Sequence, residues 1–449
     1  MKTVKSLQLI YFIILLNISL VNCNQKNDFE FSEIRLNRIE NFDSNFVNYC
    51  NLNLNTSFES NAVVCSFYGD YLNSIDQATR RKSISNVPRE SIVINSPSND
   101  DLINSLESIL QDKGADEDDK IAAKTMLGLL DTPDAKEVMI KAKSLPAKDF
   151  IAKKSKDYHF TLINEAHWNS QHRSFTKSLL KPLWDYGYRY LALETLSHEH
   201  TLIHERGYPV TSTGYYTKDS NFGNLVREAL RIGYKLIPYE TQNNVDGTLR
   251  DRDQAMNIVT ESFKKDTIGK VLIHAGYSHI NETGYSNYEP MGYQLKKLIS
   301  LDILTIDQES MTGYTDVSKQ HHYYMESDEK FGFEEPTILL NSENKVIIEP
   351  LFTDRIDIQV YHPKTTFIKR RPDWKLESNI KSIPLSVELK NYKNHLIQAV
   401  KRGESNDAIP VDQFVISNEK ILLLHSGKYD IRIINCSGDM VATAELVVE

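Results

Sequence analysis

The stretch HFTLINEAHWNSQHRSFTKSLLKPLWDYGYRYLALETL, residues His159 to Leu196, decides the fold. Phe160–Ile163 is a short apolar, partly β-branched run with the composition of a buried strand. It gives way to Asn164, Glu165, Ala166 and His167. A helical spacing follows, with Phe175, Leu179, Leu183 and Trp184 on one face, and Gly187 stops it. Tyr190–Leu193 is a second apolar run, and Glu194 ends it. Two parallel strands joined by a helix bring their carboxyl ends to one edge of the sheet. Glu165, His167 and Glu194 are therefore expected side by side, at the edge where ligand and catalytic groups of open α/β sheets collect.

The alternation continues downstream. Asn224–Ile232 reads as a helix closed by Gly233, and Lys235–Pro238 as a third strand with Glu240 just past its end. Arg250 to Phe263 is the next helix, opening Arg250-Asp251-Arg252-Asp253. Lys270–His274 is a fourth strand running into Ala275-Gly276-Tyr277-Ser278-His279, and Pro290 to Ser300 and Asp302–Ile306 add a helix and a strand. Such alternation from 158 to 306 predicts an α/β domain, a mostly parallel sheet with helices on both faces. The polar, aromatic segment His198 to Asp219 follows Glu194 directly. A loop of that length is commonly functional. It is expected to form a lid or substrate wall, the plainer alternative being a surface excursion.

The flanks differ in character. Lys2 and Lys5 precede the apolar run Leu9 to Val21, the pattern of a secretory signal over residues 1–23. The run is short of the ~20 residues of a membrane span. Leu20-Val21-Asn22-Cys23 resembles a bacterial lipoprotein signal with Cys23 acylated, although Asn22 stands where Gly, Ala or Ser is usual. Plain cleavage and release is the alternative, so the protein is expected to be exported, either anchored at a cell surface or in the periplasm, or secreted. Disulfides persist there, and Cys50 could pair with Cys65, leaving Cys436 over. Residues 24–60 are Asn-rich and read as linker. Residues 61–155 read as a small helical region, with helices at Asn61 to Lys82, Asp101–Leu110, Asp116–Leu130 and Asp134–Ser144. The α/β domain occupies 156–335. Short apolar runs between turn residues then predict a β extension over 336–374 and a small β-sandwich over 375–449. Ser426-Gly427-Lys428 and Ser437-Gly438-Asp439 read as hairpin turns. Arg370-Arg371 reads as a solvated charge run and His321-His322 as a surface pair.

With 449 residues, 40% of them apolar, the chain can bury two or three cores. A net charge of −9, with no basic stripe carrying interleaved aromatics, argues against nucleic acid as a main partner. The expected partner is a small-molecule or peptide substrate. The membrane enters only through a lipid anchor at Cys23.

The candidate site set is Glu165, His167, Glu194, Glu240, Arg252, Asp253, His274 and His279. Each has a plain reading. His167 can cap the following helix, His279 can be a loop residue, His274 an ordinary strand residue, and charges in a helix's first turn are common. Two His and two Glu at one edge favour a site. Two chemistries suit it. In one, His167, His279, Glu165 and Glu194 hold a divalent Zn, Mn, Co or Fe ion. The ion acidifies a bound water, and a spare carboxylate takes its proton. In the other there is no metal. One His, oriented by a carboxylate, is general base toward water, and the other His or Arg252 stabilises the oxyanion. Both are hydrolytic, and the residues leave them open.

Asn164-Glu165-Ala166-His167, Glu194 after the next strand, Arg252-Asp253 with Met256, and Gly276-Tyr277-Ser278-His279 together resemble the erythromycin esterase/ChaN-like/TraB superfamily. The resemblance covers about 158–310. It implies an α/β fold whose active edge carries Gly-Glu-x-His, a Glu after the second strand and a later Gly-x-x-His. Asn164 stands in place of the first Gly, and Asn tolerates left-handed backbone. On this resemblance the catalytic residues are Glu165, His167, Glu194, Arg252 and His279; Glu240, Asp253 and His274 are not matched by it and are expected only as supporting residues. Members include macrolide esterases, the metalloprotease-type Tiki and TraB proteins and haem-binding lipoproteins. The leading expectation is an exported hydrolase of an ester or amide bond. The rivals are an exported haem- or iron-binding protein, with Tyr277, Tyr215 or Tyr216 assisting, and a scaffold with an inert core.

Overall fold

The structure is a computed structural model; it describes residues 32–38, 58–69, 71, 108 and 135–449, the last range apart from 199–201, 285–287, 315–319, 378, 386 and 417–420. The proposed signal, Cys23 and, residue 108 apart, the helices expected at 101–110 and 116–130 lie outside the described residues. In chain order the elements begin β1 (Ser32–Arg38), α1 (Phe58–Phe67), α2 (Ala135–Ile140), β2 (Lys143–Pro146) and α3 (Ala147–Ser155). The alternating part is β3 (Phe160–Glu165), α4 (Ser170–Asp185), β4 (Tyr188–Leu193), α5 (Ile203–Arg206), α6 (Ser220–Ile232), β5 (Lys235–Pro238), α7 (Gly247–Glu261), β6 (Lys270–Gly276), α8 (Met291–Ile299), β7 (Leu304–Asp307) and α9 (His322–Phe331). Then come β8 (Thr337–Leu340), β9 (Ile358–Gln359), β10 (Phe367–Ile368), β11 (Arg371–Pro372), β12 (Lys381–Pro384), β13 (Leu396–Lys401), β14 (Asp412–Val415), β15 (Ile421–Leu424), β16 (Gly427–Ile434) and β17 (Asp439–Val448).

The central sheet has the order β5-β4-β6-β3-β7-β9, and every pairing in it is parallel. Successive strand residues point to opposite faces. Ile163, Leu191 and Leu193 pack under Leu179 and Leu183 of α4 and Leu225 and Val226 of α6. Leu162, Tyr190 and Ala192 pack against Ala255, Ile258 and Val259 of α7 and Met291 and Leu295 of α8. The α/β architecture with helices on both faces is thus present, and β3 is buried along its whole length because both its sides are covered. The last strand to enter the centre, β6, inserts between β3 and β4. Glu165 stands opposite Gly276, and Leu193 opposite His274. The carboxyl ends of β3, β6 and β4 therefore finish side by side.

The C-terminal part is antiparallel and β-rich, as the turn-punctuated runs imply. One sheet has the order β1-β17-β16-β13-β14, and β12 pairs with β15. Ile397, Phe414, Ile431 and Leu446 from the first share a core with Ile383, Leu422 and Leu424 from the second.

Several expectations need correction. Residues 32–38 are not linker: they form β1, paired antiparallel with β17. The helix expected over 134–144 stops at Ile140, and Lys143–Pro146 pairs antiparallel with β8. The boundary drawn at 335 cuts the main sheet, because β9 is its sixth strand. Ser426-Gly427-Lys428 is no hairpin turn. It carries the chain from β15, paired with β12, to β16 in the other sheet. Cys65 is a buried thiol outside any disulfide, whereas Cys436 is disulfide-bonded, so the expected pairing of Cys50 with Cys65 does not form.

Arg371 departs furthest from its reading. It is fully buried, with its guanidinium over Phe414 and paired to Asp412, which also accepts from Lys375 at 2.7 Å. These cations lock the 371–375 segment onto β14. α1 joins the two parts, with Phe67 and Tyr68 packed among Trp168, Tyr314, Leu396 and Val415. Among the described residues no helix is long and apolar enough to cross a membrane. Removing a buried carboxylate strands its partners' charge. Asp412→Ala is expected to cost ~3–5 kcal/mol of stability in urea unfolding, while exposed Arg370→Ala leaves the transition in place.

Candidate active site

The turn after β3 is built before any catalytic group is placed. Asn164 remains extended and is not among the left-handed residues, so the turn expected from its place in the motif is not needed. Its side chain instead ties strand ends together. It donates to Asp307 Oδ1 at 2.7 Å and the Tyr277 carbonyl at 3.1 Å, and it accepts from the Gln308 amide at 2.7 Å. His172, in the first turn of α4, accepts the Ala166 N–H at 3.0 Å through Nδ1. Asn169 caps α4 by accepting from Gln171. The peptide between Glu165 and His167 is thereby fixed.

Glu165 is buried against Arg173. Nε and Nη2 of Arg173 donate to its two oxygens at 2.7 Å each, and Nη2 also donates to the His167 carbonyl at 2.6 Å. Burial alone would raise the Glu165 pKa. Arg173 overrides it and holds the carboxyl well below the usual range. Asp219, which caps α6, lies 3.5 Å from Nη1 of the same guanidinium.

His167 stands on this base. Its Nδ1 is 3.0 Å from Glu165 Oε1, its ring stacks on Tyr216 at 4.0 Å, and the edge of Tyr277 closes another side. Its Nε2 looks toward Glu194 Oε2 at 4.0 Å. Gly276 makes room for the ring, since a Cβ there would lie 2.3 Å from His167 Cε1. The Gly276 N–H donates to Glu194 Oε2 at 2.6 Å. Burial raises the Glu194 pKa, but His167, His279, Arg250 and this N–H together lower it below its ordinary value.

The second imidazole faces the same carboxylate from the far side. His279 Nδ1 is 2.8 Å from Asp251 Oδ2, which also accepts from Tyr288 and from the Met291 amide. Nη1 of Arg250 lies 3.1 Å from His279 Nε2, and Nη2 donates to Glu194 Oε1 at 3.1 Å. Glu240 clamps that arginine with both oxygens. Burial lowers the His279 pKa, but the Asp251 hydrogen bond and the charges of Glu194 and Asp251 outweigh it and leave it raised.

Glu165, His167, Glu194 and His279 are thus gathered at one edge, with Glu240 beside them. Arg252 is not. It is 56% exposed and reaches only Asp253, at 3.9 Å, while Arg250, two residues earlier, takes the place assigned to it. Asp253 accepts from Thr241 and Asn243 and stays outside the cluster. His274 is buried behind Glu165, 3.5 Å from Oε2, and desolvation pushes it down to about 4. The 198–219 segment does supply a wall, through Tyr216 over His167, with Tyr215 edge-on between Tyr216 and Phe67 of α1. Arg173, Arg250, Asp251 and His172 are absent from the sequence-based set. Arg173 and Asp251 had a signal: a cation in a helix's first turn opposes the dipole and needs an anion to explain it, and Asp251 falls on the apolar face of α7.

Among the described residues no group of three or more His, Cys, Asp and Glu is disposed to hold a metal ion. Of the donors proposed for one, Glu165, Glu194 and His279 are already engaged, and His167 keeps only Nε2. An ion joining His279 to Glu194 would have to displace Arg250 from both.

Replacing Gly276 by Ala is expected to push the His167 ring off Tyr216. The ring protons of His167 should then lose their upfield ring-current displacement in NMR, while the fold, read by circular dichroism, persists.

No protein-family profile and no curated protein matches the chain. Two solved structures are similar. One is the type III effector HopBA1, at 14% identity and a TM-score of 0.27, over 40% of this chain and 89% of that one. The other is the C-terminal region of Pasteurella multocida toxin, described as having a thiol-protease-like catalytic triad. It is 10% identical with a TM-score of 0.28, over 81% of this chain and 51% of that one. At these values neither likeness carries fold or chemistry across.

Proposed function

We propose that the protein is an exported hydrolase of an ester or amide bond that works without a metal, through His167. One observation carries this reading. His167 is held by Glu165 at Nδ1 and presents Nε2 to Glu194 across 4.0 Å, too far for a direct hydrogen bond. A water in that gap is within reach of both. Glu165 fixes the tautomer with the proton on Nδ1, so Nε2 is the basic atom. In the proposed step the water oxygen attacks the substrate carbonyl carbon and its proton passes to Nε2. The negative charge gathers on the carbonyl oxygen, facing the Arg250 guanidinium, which His279 helps to hold in place. As the tetrahedral species collapses, Nε2 returns the proton to the leaving alcohol or amine.

Membership of the erythromycin esterase/ChaN-like/TraB superfamily belongs to the same proposal, supported by the order of Glu165, His167, Glu194 and His279 along the strand ends. Export rests on the basic and apolar residues of the first 23 positions.

The test is turnover of a panel of p-nitrophenyl esters and peptide p-nitroanilides, with and without EDTA. Hydrolysis is expected to survive the chelator. It should fall ~10²–10⁴-fold in His167→Ala and in Glu194→Gln, with circular dichroism unchanged. Loss of activity on chelation, restored by Zn or Mn, would defeat the metal-free mechanism. No turnover, with a Soret band on adding haem that His167→Ala removes, would replace the hydrolase by a haem-binding protein.

A further inference from the structure

A second acidic cluster lies on the other side of the segment that carries His279. Glu282 follows that segment, and its N–H donates to the Arg355 carbonyl at 2.9 Å. Its Oε1 accepts from Thr305 Oγ1 at 2.7 Å. Asp357 precedes β9. Its Oδ2 accepts the Thr305 N–H at 3.0 Å and lies 3.4 Å from the same Oγ1. The Asp357 N–H donates to Thr305 as well, to its carbonyl at 3.2 Å and its Oγ1 at 3.1 Å. One hydroxyl thus spans two carboxyl groups.

Two carboxylates gathered on one hydroxyl have only acceptors to offer each other, so a proton on one of them relieves their repulsion. Lys296 of α8 pairs with Glu282 at 2.6 Å and with Asp302, just before β7, at 2.9 Å. From the β3 side the neighbour is Tyr158, a neutral phenol whose own ionisation is opposed by Asp357, Asp302 and Glu282.

We propose that a proton held by Asp357 beside Glu282 is a pH-sensitive fastener, pinning the His279-bearing segment to the β7–β9 edge in mild acid and releasing it above neutrality. Removing the proton leaves two adjacent, half-buried negative charges beside a lysine that is already shared with Asp302. The first contacts to open are Glu282 to Thr305 and the Glu282 amide to Arg355. Burial, then Glu282, push Asp357 up to about 7. The sign follows: a carboxyl bound more tightly to its proton when folded stabilises fully below its unfolded pKa of about 4. That contribution declines as pH rises and is gone above the folded value.

Asp357→Asn keeps the acceptor for the Thr305 amide and supplies a permanent donor to Glu282. The wild-type protein is expected to lose thermal stability between pH 5 and pH 8. In Asp357→Asn that loss is smaller, so the midpoint difference between the two proteins changes with pH. Hydrogen exchange of the 279–284 amides should quicken at pH 8, after correction for intrinsic rates, in wild type but not in the variant. Glu282→Gln, read the same way, should also flatten the dependence. Parallel melting curves for wild type and both variants across this range, or exchange at 279–284 that ignores the substitution, would overturn the proposal.

Discussion

The bidentate contact between Glu165 and Arg173 is what the rest of the site stands on. Both side chains are buried. Either charge alone would be costly in that setting, and together they are held by two strong, parallel hydrogen bonds. The pair also neutralises the carboxylate beneath His167, so that His167 sits over an anion already balanced by a guanidinium. The same guanidinium reaches the His167 carbonyl and Asp219, the cap of α6. One buried cation therefore couples the strand end, the turn after it and the next helix.

The second constraint is topological. Had β3 and β4 been neighbours, Glu165 and Glu194 would crowd one another. β6 separates them, and it ends on a glycine. That residue gives up its side-chain volume to the His167 ring and lends its N–H to Glu194. The strand that parts the two acids thus provides the space and one of the donors that let an imidazole stand between them.

Much of this was legible in the chain. The strand–helix alternation from Phe160 onward gives the layered sheet, because buried parallel strands are continuous apolar runs and the helices between them keep their own period. The acids and imidazoles at the strand ends were legible for the same reason. The order of strands was not, since nothing local to β6 says that it enters between β3 and β4. The choice between Arg250 and Arg252 was not legible. Ala255, Ile258 and Val259 mark the buried face of α7, which projects back onto Asp251, and each arginine lies about 100° from that residue, one on either side. Arg371 misled because its neighbour Arg370 is exposed and because its anion, Asp412, lies on a distant strand. Long-range charge pairing leaves no local trace.

β1 carries a different implication. Ser32 stands opposite Thr443, so the first described strand and the last are hydrogen-bonded partners with nearly the whole chain between them. An early segment must wait for β17 before it can be paired. Until synthesis reaches that point, β1 has no ladder to join, and when it does join, the loop it closes encloses the entire α/β layer. The protein is a ring in connectivity though a line in covalent structure, and that ring cannot close before its last strand has been made.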